Sequence, residues 1–162
     1  FYYLNIILKK LKFRNYFVIF VSLFIITTSF KMFNMHPYQN VYFNFLAGKN
    51  PGQYFELDYW SLSNREILEK LLNKDSSEKL KIWVSSDTPL QKTISYMINK
   101  NDRNRIQIVK NIDESDYILN NYRYLNGEYS INKYNFDKTQ FEIFEQVKVD
   151  GIIINSLYKN KK

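Results

Sequence analysis

The sequence predicts an α/β protein: one transmembrane helix followed by a small extracytoplasmic α/β sandwich with a mixed sheet and a C-terminal β-hairpin. Three observations carry this expectation. An uncharged, apolar run extends from Asn15 to Phe30. Between Ser63 and Asn120, stretches with helical apolar spacing alternate with short strand-like stretches. Near the end, Asp150-Gly151 stands between two runs rich in β-branched and aromatic residues, the strongest short-range hairpin signal. The boundaries that follow are 1–14 for the cytoplasmic end of a preceding span and a basic loop, 15–33 for the transmembrane helix, 34–60 for a membrane-proximal aromatic segment, and 61–162 for the domain.

The apolar run lies between Arg14 and Lys31. It falls slightly short of the ~20 residues a bilayer-spanning helix needs. The flanking Arg14 and Lys31 can snorkel, and Met32 and Phe33 extend the apolar length. A secretory signal peptide is the rival reading, since KKLKFRN resembles a basic leader. However, TTSFKMF offers no small-x-small cleavage site, and FYYLNIIL precedes the basic cluster. A buried core helix is a further rival reading, but no polar face breaks the run. Lys9, Lys10, Lys12 and Arg14 crowd the N-terminal flank, against Lys31 and Lys49 beyond the run. The positive-inside rule then puts that flank in the cytoplasm and everything after Phe33 outside. FYYLNIIL reads as the end of an earlier span. With Phe1 rather than methionine in first place, the chain reads as the C-terminal part of a longer protein.

The domain elements follow in order. Ser63 to Asn73 reads as a helix: Ser63 and Glu66 form an S-x-x-E capping box, and Ile67, Leu68, Leu71 and Leu72 make one apolar face. KLKIWVSS follows as a strand, with Ile82 and Val84 on one face and Trp83 on the other. Asp87 or Thr88 can cap a second helix whose Pro89 suits the first turn, and Leu90, Ile94, Met97 and Ile98 recur at helical spacing. RIQIV and DYILN are two further short strands. Asn121 to Thr139, rich in Asn, Tyr and Lys, reads as an irregular excursion. FEIFEQVKV alternates Phe141, Ile143, Val147 and Val149 against polar neighbours, and IIINSLY returns after the turn. A β-α-β-β order closed by a hairpin implies a mixed sheet with helices packed on it.

Composition narrows the function. With 162 residues, 45% hydrophobic and 18% aromatic, the chain has material for one packed core, which excludes wholesale disorder. The lack of cysteine excludes disulfides, thiolate metal sites and thiol catalysis. A net charge of +7 invites a nucleic-acid partner, but its distribution opposes one. No acidic residue precedes Glu56, and the upstream lysines and arginine flank the apolar run. From Glu56 to Tyr158 the two signs nearly balance, whereas a nucleic-acid surface needs its basic residues on the domain itself. The turn VSSDTP sits where a phosphate loop would, yet it has no glycine; helix capping accounts for it, and no cofactor is expected. His36 is the only histidine and cannot by itself build a zinc site of the usual kind, so no metal is expected.

What remains is HPYQNVYFNFLAGKNPGQYFELDYW, residues His36 to Trp60. Its Tyr38, Tyr42, Phe43, Phe45, Tyr54, Phe55, Tyr59 and Trp60 follow directly on the span. Tyrosine and tryptophan favour the lipid headgroup level, so the stretch is expected to form a collar with membrane lipid as its partner. Glu56 and Asp58 would point to one side if extended and could serve as a carboxylate pair. The plainer reading is that Asp58, Tyr59 and Trp60 anchor the approach to the helix capped at Ser63, since nothing else completes a catalytic set.

These residues also carry a resemblance. HPYQNVYFNFLAG followed by YFELDYWSLSNREILEKL is similar to the junction in bacterial membrane glycosyltransferases of the family 39 type, related to protein O-mannosyltransferases. There a last transmembrane helix is followed by H-P-Y-Q-Y-x-Y-F/Y-N-x-L-x-G, then E-x-D-Y-W-G-x-S-Y-R-E-A, then a small extracytoplasmic α/β domain. His36, Pro37, Tyr38, Gln39, Tyr42, Phe43, Asn44, Leu46, Gly48, Glu56, Asp58, Tyr59, Trp60, Ser63, Arg65 and Glu66 match; Asn40, Ser61 and Asn64 depart from a common tyrosine, glycine and tyrosine. The resemblance implies a multi-span enzyme of the bacterial inner membrane that transfers a sugar from a polyprenyl-phosphate donor on the extracytoplasmic face. It implies that the catalytic acid lies upstream, so no catalytic residue is assigned in this chain. His36, Tyr38, Gln39, Asn44, Glu56, Asp58, Tyr59 and Trp60 are the candidates for lining or supporting the substrate cavity. The alternative function is a membrane-anchored extracytoplasmic interaction domain without enzymatic activity.

Overall fold

Arg14–Asn34 forms one continuous helix, α1, over the predicted span. Its 21 residues rise to about 31 Å, close to the thickness of a hydrocarbon core. The helix is long and apolar enough to cross a membrane, and none of its residues is buried. Thr27 turns its hydroxyl back onto the Leu23 and Phe24 carbonyls at 2.9 and 3.0 Å, so that hydroxyl needs no outside partner. The computed structural model describes residues 1–4, 6, 14–49, 51–123 and 139–161, apart from the side chains of residues 45 and 53. Most of the expected basic loop and earlier span, and most of the expected excursion Asn121–Thr139, lie outside the described residues. The chain divides into two units, Phe1–Gln39 and Asn40–Lys162.

The second unit is α/β. It contains α2 (Ser63–Lys74), β1 (Leu80–Val84), α3 (Leu90–Met97), α4 (Lys100–Arg103), β2 (Ile106–Ile108), β3 (Tyr117–Asn120), β4 (Phe141–Val149) and β5 (Ile152–Asn160). Each expected helix and strand is present, and the one-turn α4 is an addition. The strands make a mixed sheet in the order β2-β1-β3-β5-β4. β1 runs parallel to β2 and β3, and β5 runs antiparallel to both its neighbours.

Register decides which side chains share a face. Ile82 lies beside Tyr117, and Val84 beside Leu119, which in turn faces Leu157. α2 covers this face, since Ser63 and Asn64 at its start bond Asn155, on the same face of β5 as Leu157. Ile67, Leu68 and Leu71 of α2 are fully buried here, and Leu90 and Ile94 of α3 are buried as well. The three α2 residues together contribute roughly 5–9 kcal/mol of apolar burial as an upper estimate. On the opposite face Ile118 and Phe141 form a smaller cluster with Trp83, Ile112 and Tyr158 packed against it.

Two sequence expectations change at element level. The even alternation of Phe141, Ile143, Val147 and Val149 is interrupted: the register shifts between Ile143 and Glu145, and Phe144 is inserted as a bulge. Ile143 is thereby 60% exposed, while the Phe144 ring meets Tyr117 at 5.2 Å. Neither Asp87 nor Thr88 caps α3; Pro89 stands at its start, and the Pro89 carbonyl accepts from the Lys92 and Thr93 N–H groups. The hairpin turn is as expected: Asp150 and Gly151 have φ of 49° and 81°, the pair of left-handed residues that a type I′ turn requires.

Candidate functional site

The carboxyl ends of β1 and β3 lie side by side, and open α/β sheets bind their ligands at that end. The chain leaves β1 through Ser85, Ser86, Asp87 and Thr88, and leaves β3 through Asn121, Tyr122 and Arg123. The segment from Glu56 to Ser61, ahead of α2, folds against both.

Asp58 organises this junction. It is fully buried. Its Oδ1 accepts the Leu62 N–H at 3.0 Å, and its Oδ2 accepts the Ser63 N–H at 3.0 Å and the Ser63 hydroxyl at 2.5 Å. The Asn40 amide donates to it as well. The N–H groups at the start of a helix lack intrahelical partners, and a carboxylate there is favoured by the helix dipole. Burial pushes the Asp58 carboxyl above its usual pKa, against the opposing pull of the Ser63, Leu62 and Asn40 donors. The expected capping box is therefore replaced: Ser63 donates to Asp58 instead of capping, and Glu66 pairs with Lys70 at 2.8 Å.

A chain of short polar bonds extends from there. Asn64 Nδ2 donates to Thr88 Oγ1 at 2.6 Å, and Thr88 donates to Ser61 Oγ at 2.8 Å. Asn121 Nδ2 donates to the same Ser61 oxygen at 3.1 Å, and its backbone N–H donates to Ser86 Oγ at 3.2 Å. Ser61, Ser63, Asn64, Ser86 and Asn121 are all buried, so the network joins α2, β1 and β3 with no water needed. Ser61 within it and Tyr122 next to Asn121 have φ of 58° and 56°, a region costly for residues with a Cβ. Burial pushes the Tyr122 hydroxyl pKa up, and that hydroxyl lies 2.8 Å from Ser156 Oγ.

Above the network sits a more open group. The Arg123 guanidinium lies 4.5 Å from the Tyr59 ring centre, with Glu56 Oε2 at 3.9 Å from Nε and Asp87 Oδ2 at 4.0 Å from a terminal nitrogen. Tyr59 and Trp60 meet edge to face at 5.1 Å, and both are exposed. Glu56 Oε2 and Arg123 Nε are buried, while Asp87, Tyr59 and Trp60 stand exposed beside them, so a carboxylate and aromatic faces can meet a polar, hydroxyl-rich group. Glu56 and Asp58 do not make a carboxylate pair. The chain turns at Asp58, whose carbonyl accepts the Ser61 N–H at 2.9 Å, so one carboxylate is drawn to the helix start and the other to Arg123.

The remaining candidates make local contacts. In the first unit, Gln39 Nε2 lies 3.0 Å from His36 Nδ1, and the Tyr38 N–H donates to the Met35 carbonyl at 2.6 Å, so these residues fasten the turn after α1. In the second, Asn44 Oδ1 accepts the Leu46 N–H at 3.0 Å as a local turn. Sequence reasoning missed Arg123 and Asp87. Their only sequence signal is position, each just beyond the carboxyl end of a parallel strand.

A second constellation lies at the other end of the sheet. A cavity of about 310 Å³ is lined by Asp75, Lys79, Asp116, Tyr117 and Lys159, among others. The Tyr117 hydroxyl donates to Asp75 Oδ2 at 2.5 Å, and Lys159 Nζ stands 3.8 Å from the same oxygen. Hydrogen bonds from Ser77 and Tyr117 hold the Asp75 carboxyl at a pKa of about 2, while burial and the same hydrogen bond push the Tyr117 hydroxyl upward. Asp75 and Lys159 pair across it, Asp116 Oδ2 accepts the Lys81 N–H at 3.0 Å, and it faces the amino ends of β1 and β3. Among the described residues, no three His, Asp or Glu side chains converge as a metal-ligand set. Compared with models of protein families, with curated proteins and with solved structures, the chain finds no match in any of the three.

Proposed function

We propose that the chain is the C-terminal part of an integral-membrane glycosyltransferase that transfers a sugar from a polyprenyl-phosphate donor on the extracytoplasmic face, this part shaping the acceptor side without supplying a catalytic residue. The observation that carries the reading is a backbone one. The two glycines of the resembled pattern fall at Gly48 and Ser61, whose φ values are 76° and 58°. A left-handed position is where glycine is cheapest, so both glycine positions of the pattern suit this chain's conformation, the second with serine in place of glycine. Support also comes from Glu56 and Tyr59, which meet Arg123 at the ligand-binding end of the sheet. The length of α1 and the basic flank at Lys9 to Arg14 favour a domain on the outer face.

The test uses the intact protein in lipid nanodiscs with radiolabelled polyprenyl-phosphate sugars. Transfer is expected, and Glu56→Gln should lower turnover by about tenfold, ~1.4 kcal/mol in the barrier, without changing expression. A phosphatase reporter fused after Lys162 should be active. An intact protein that transfers nothing from any such donor overturns the enzyme reading and leaves a membrane-anchored interaction domain. A silent reporter overturns the orientation.

A further inference from the structure

The second unit holds several large apolar side chains out in solvent within one stretch. Leu46 is 77% exposed, Tyr54 68% and Trp60 69%, with Phe55, Tyr59 and Leu62 exposed beside them in sequence. The stretch is not loose. Its backbone is pinned between them at buried Pro51 and Gly52, at Leu57, and at Asp58, whose bonds to Leu62 and Ser63 fix the far end. Soluble surfaces rarely carry such a concentration of apolar groups without something to meet.

Charge narrows what they meet. Three ionisable residues carry charge between Asn40 and Leu62: Lys49, Glu56 and Asp58. Glu56 is drawn to Arg123 and Asp58 is buried, so Lys49 is the one left exposed. An apolar stretch rich in tyrosine and tryptophan, with its own acids withdrawn, a lysine outside and the nearby exposed Asp87 offset by Arg123, suits the headgroup layer of an anionic bilayer.

We propose that Leu46, Tyr54, Phe55, Tyr59, Trp60 and Leu62 form a lipid-docking surface that seats the domain on the bilayer crossed by α1. The inference rests on α1 lying in a membrane and not on any sugar-transfer activity. Trp60 and Trp83 are the two tryptophans, and Trp83 packs within the sheet, so Trp83→Phe leaves Trp60 as a single reporter. The full chain carrying this change is reconstituted into phosphatidylethanolamine–phosphatidylglycerol vesicles brominated at defined acyl positions. Flotation checks that α1 is inserted, and a Trp60→Phe chain reports Trp83 as the control. The expected result is a blue-shifted Trp60 emission, quenched most by bromine nearest the headgroups and protected from aqueous iodide, with Trp83 insensitive to bromine. A floating chain whose Trp60 is open to iodide and untouched by bromine overturns the proposal, because the surface then faces water. A Trp60 shielded from both overturns it in favour of cover by protein. A chain that fails to float removes the membrane reading and the docking surface together.

Discussion

Ser61 meets two demands that no single side chain satisfies fully. Its backbone is left-handed, which favours glycine, and its oxygen accepts from both Thr88 and Asn121, which requires a hydroxyl. Ser61→Ala keeps the unfavourable φ and removes the acceptor that part-buried Thr88 and buried Asn121 share, leaving Asn121 only its longer bond to the Asp58 carbonyl, an expected loss of about 1–3 kcal/mol. Ser61→Gly loses the same acceptor but relieves the backbone, so it should be about 1 kcal/mol less harmful than alanine. Thermal unfolding of both variants measures the difference; equal losses would mean that the left-handed conformation carries no cost here. At this scale the sequence was partly legible. Asp58 reads correctly as an anchor ahead of the helix, because a short acid before an apolar periodic run suits the free N–H groups there. The Glu56–Arg123 relation was not legible, because it joins the segment ahead of α2 to the end of β3 and depends on long-range packing.

Asp75 shows the same limit at the scale of elements. It ends α2, where its N–H donates to the Leu71 carbonyl at 2.9 Å, and its carboxylate collects Ser77 and the Tyr117 hydroxyl, tying the helix end to the start of β3. A carboxyl whose pKa is lower in the folded chain stabilises the fold while it is ionised. That contribution is complete above its ordinary value near 3.8 and fades as pH falls toward about 2. Asp75→Asn should therefore be less stable than the parent at neutral pH, with the gap closing across that window. Urea midpoints followed by circular dichroism against pH would show it, and a gap of constant size would rule the linkage out. Helix α2 and the Asp150-Gly151 hairpin were legible because their signals are local. The Phe144 bulge was not, since one inserted residue leaves the composition of a strand unchanged and shows only against its partner's register.

Across the whole chain, the apolar helix and the α/β character follow from periodicity, whereas the order of the strands does not, since pairing is settled by non-local register. That order has a consequence for synthesis. β5 comes last in sequence among the described strands, yet it lies inside the sheet between β3 and β4. About thirty residues separate β3 from β5, a delay of roughly 2–6 s at usual translation rates. Throughout that interval one edge of β3 has no neighbour, and Ile118 and Leu119, fully buried in the finished sheet, lack the cover of β5. A nascent chain arrested at Asn121 should be cut readily by protease, while one extended past Asn160 on a linker should resist. If the shorter chain also resists, β1 to β3 form a self-sufficient half; otherwise the domain is obliged to wait for its final strand, and the timing of its maturation is set by the ribosome.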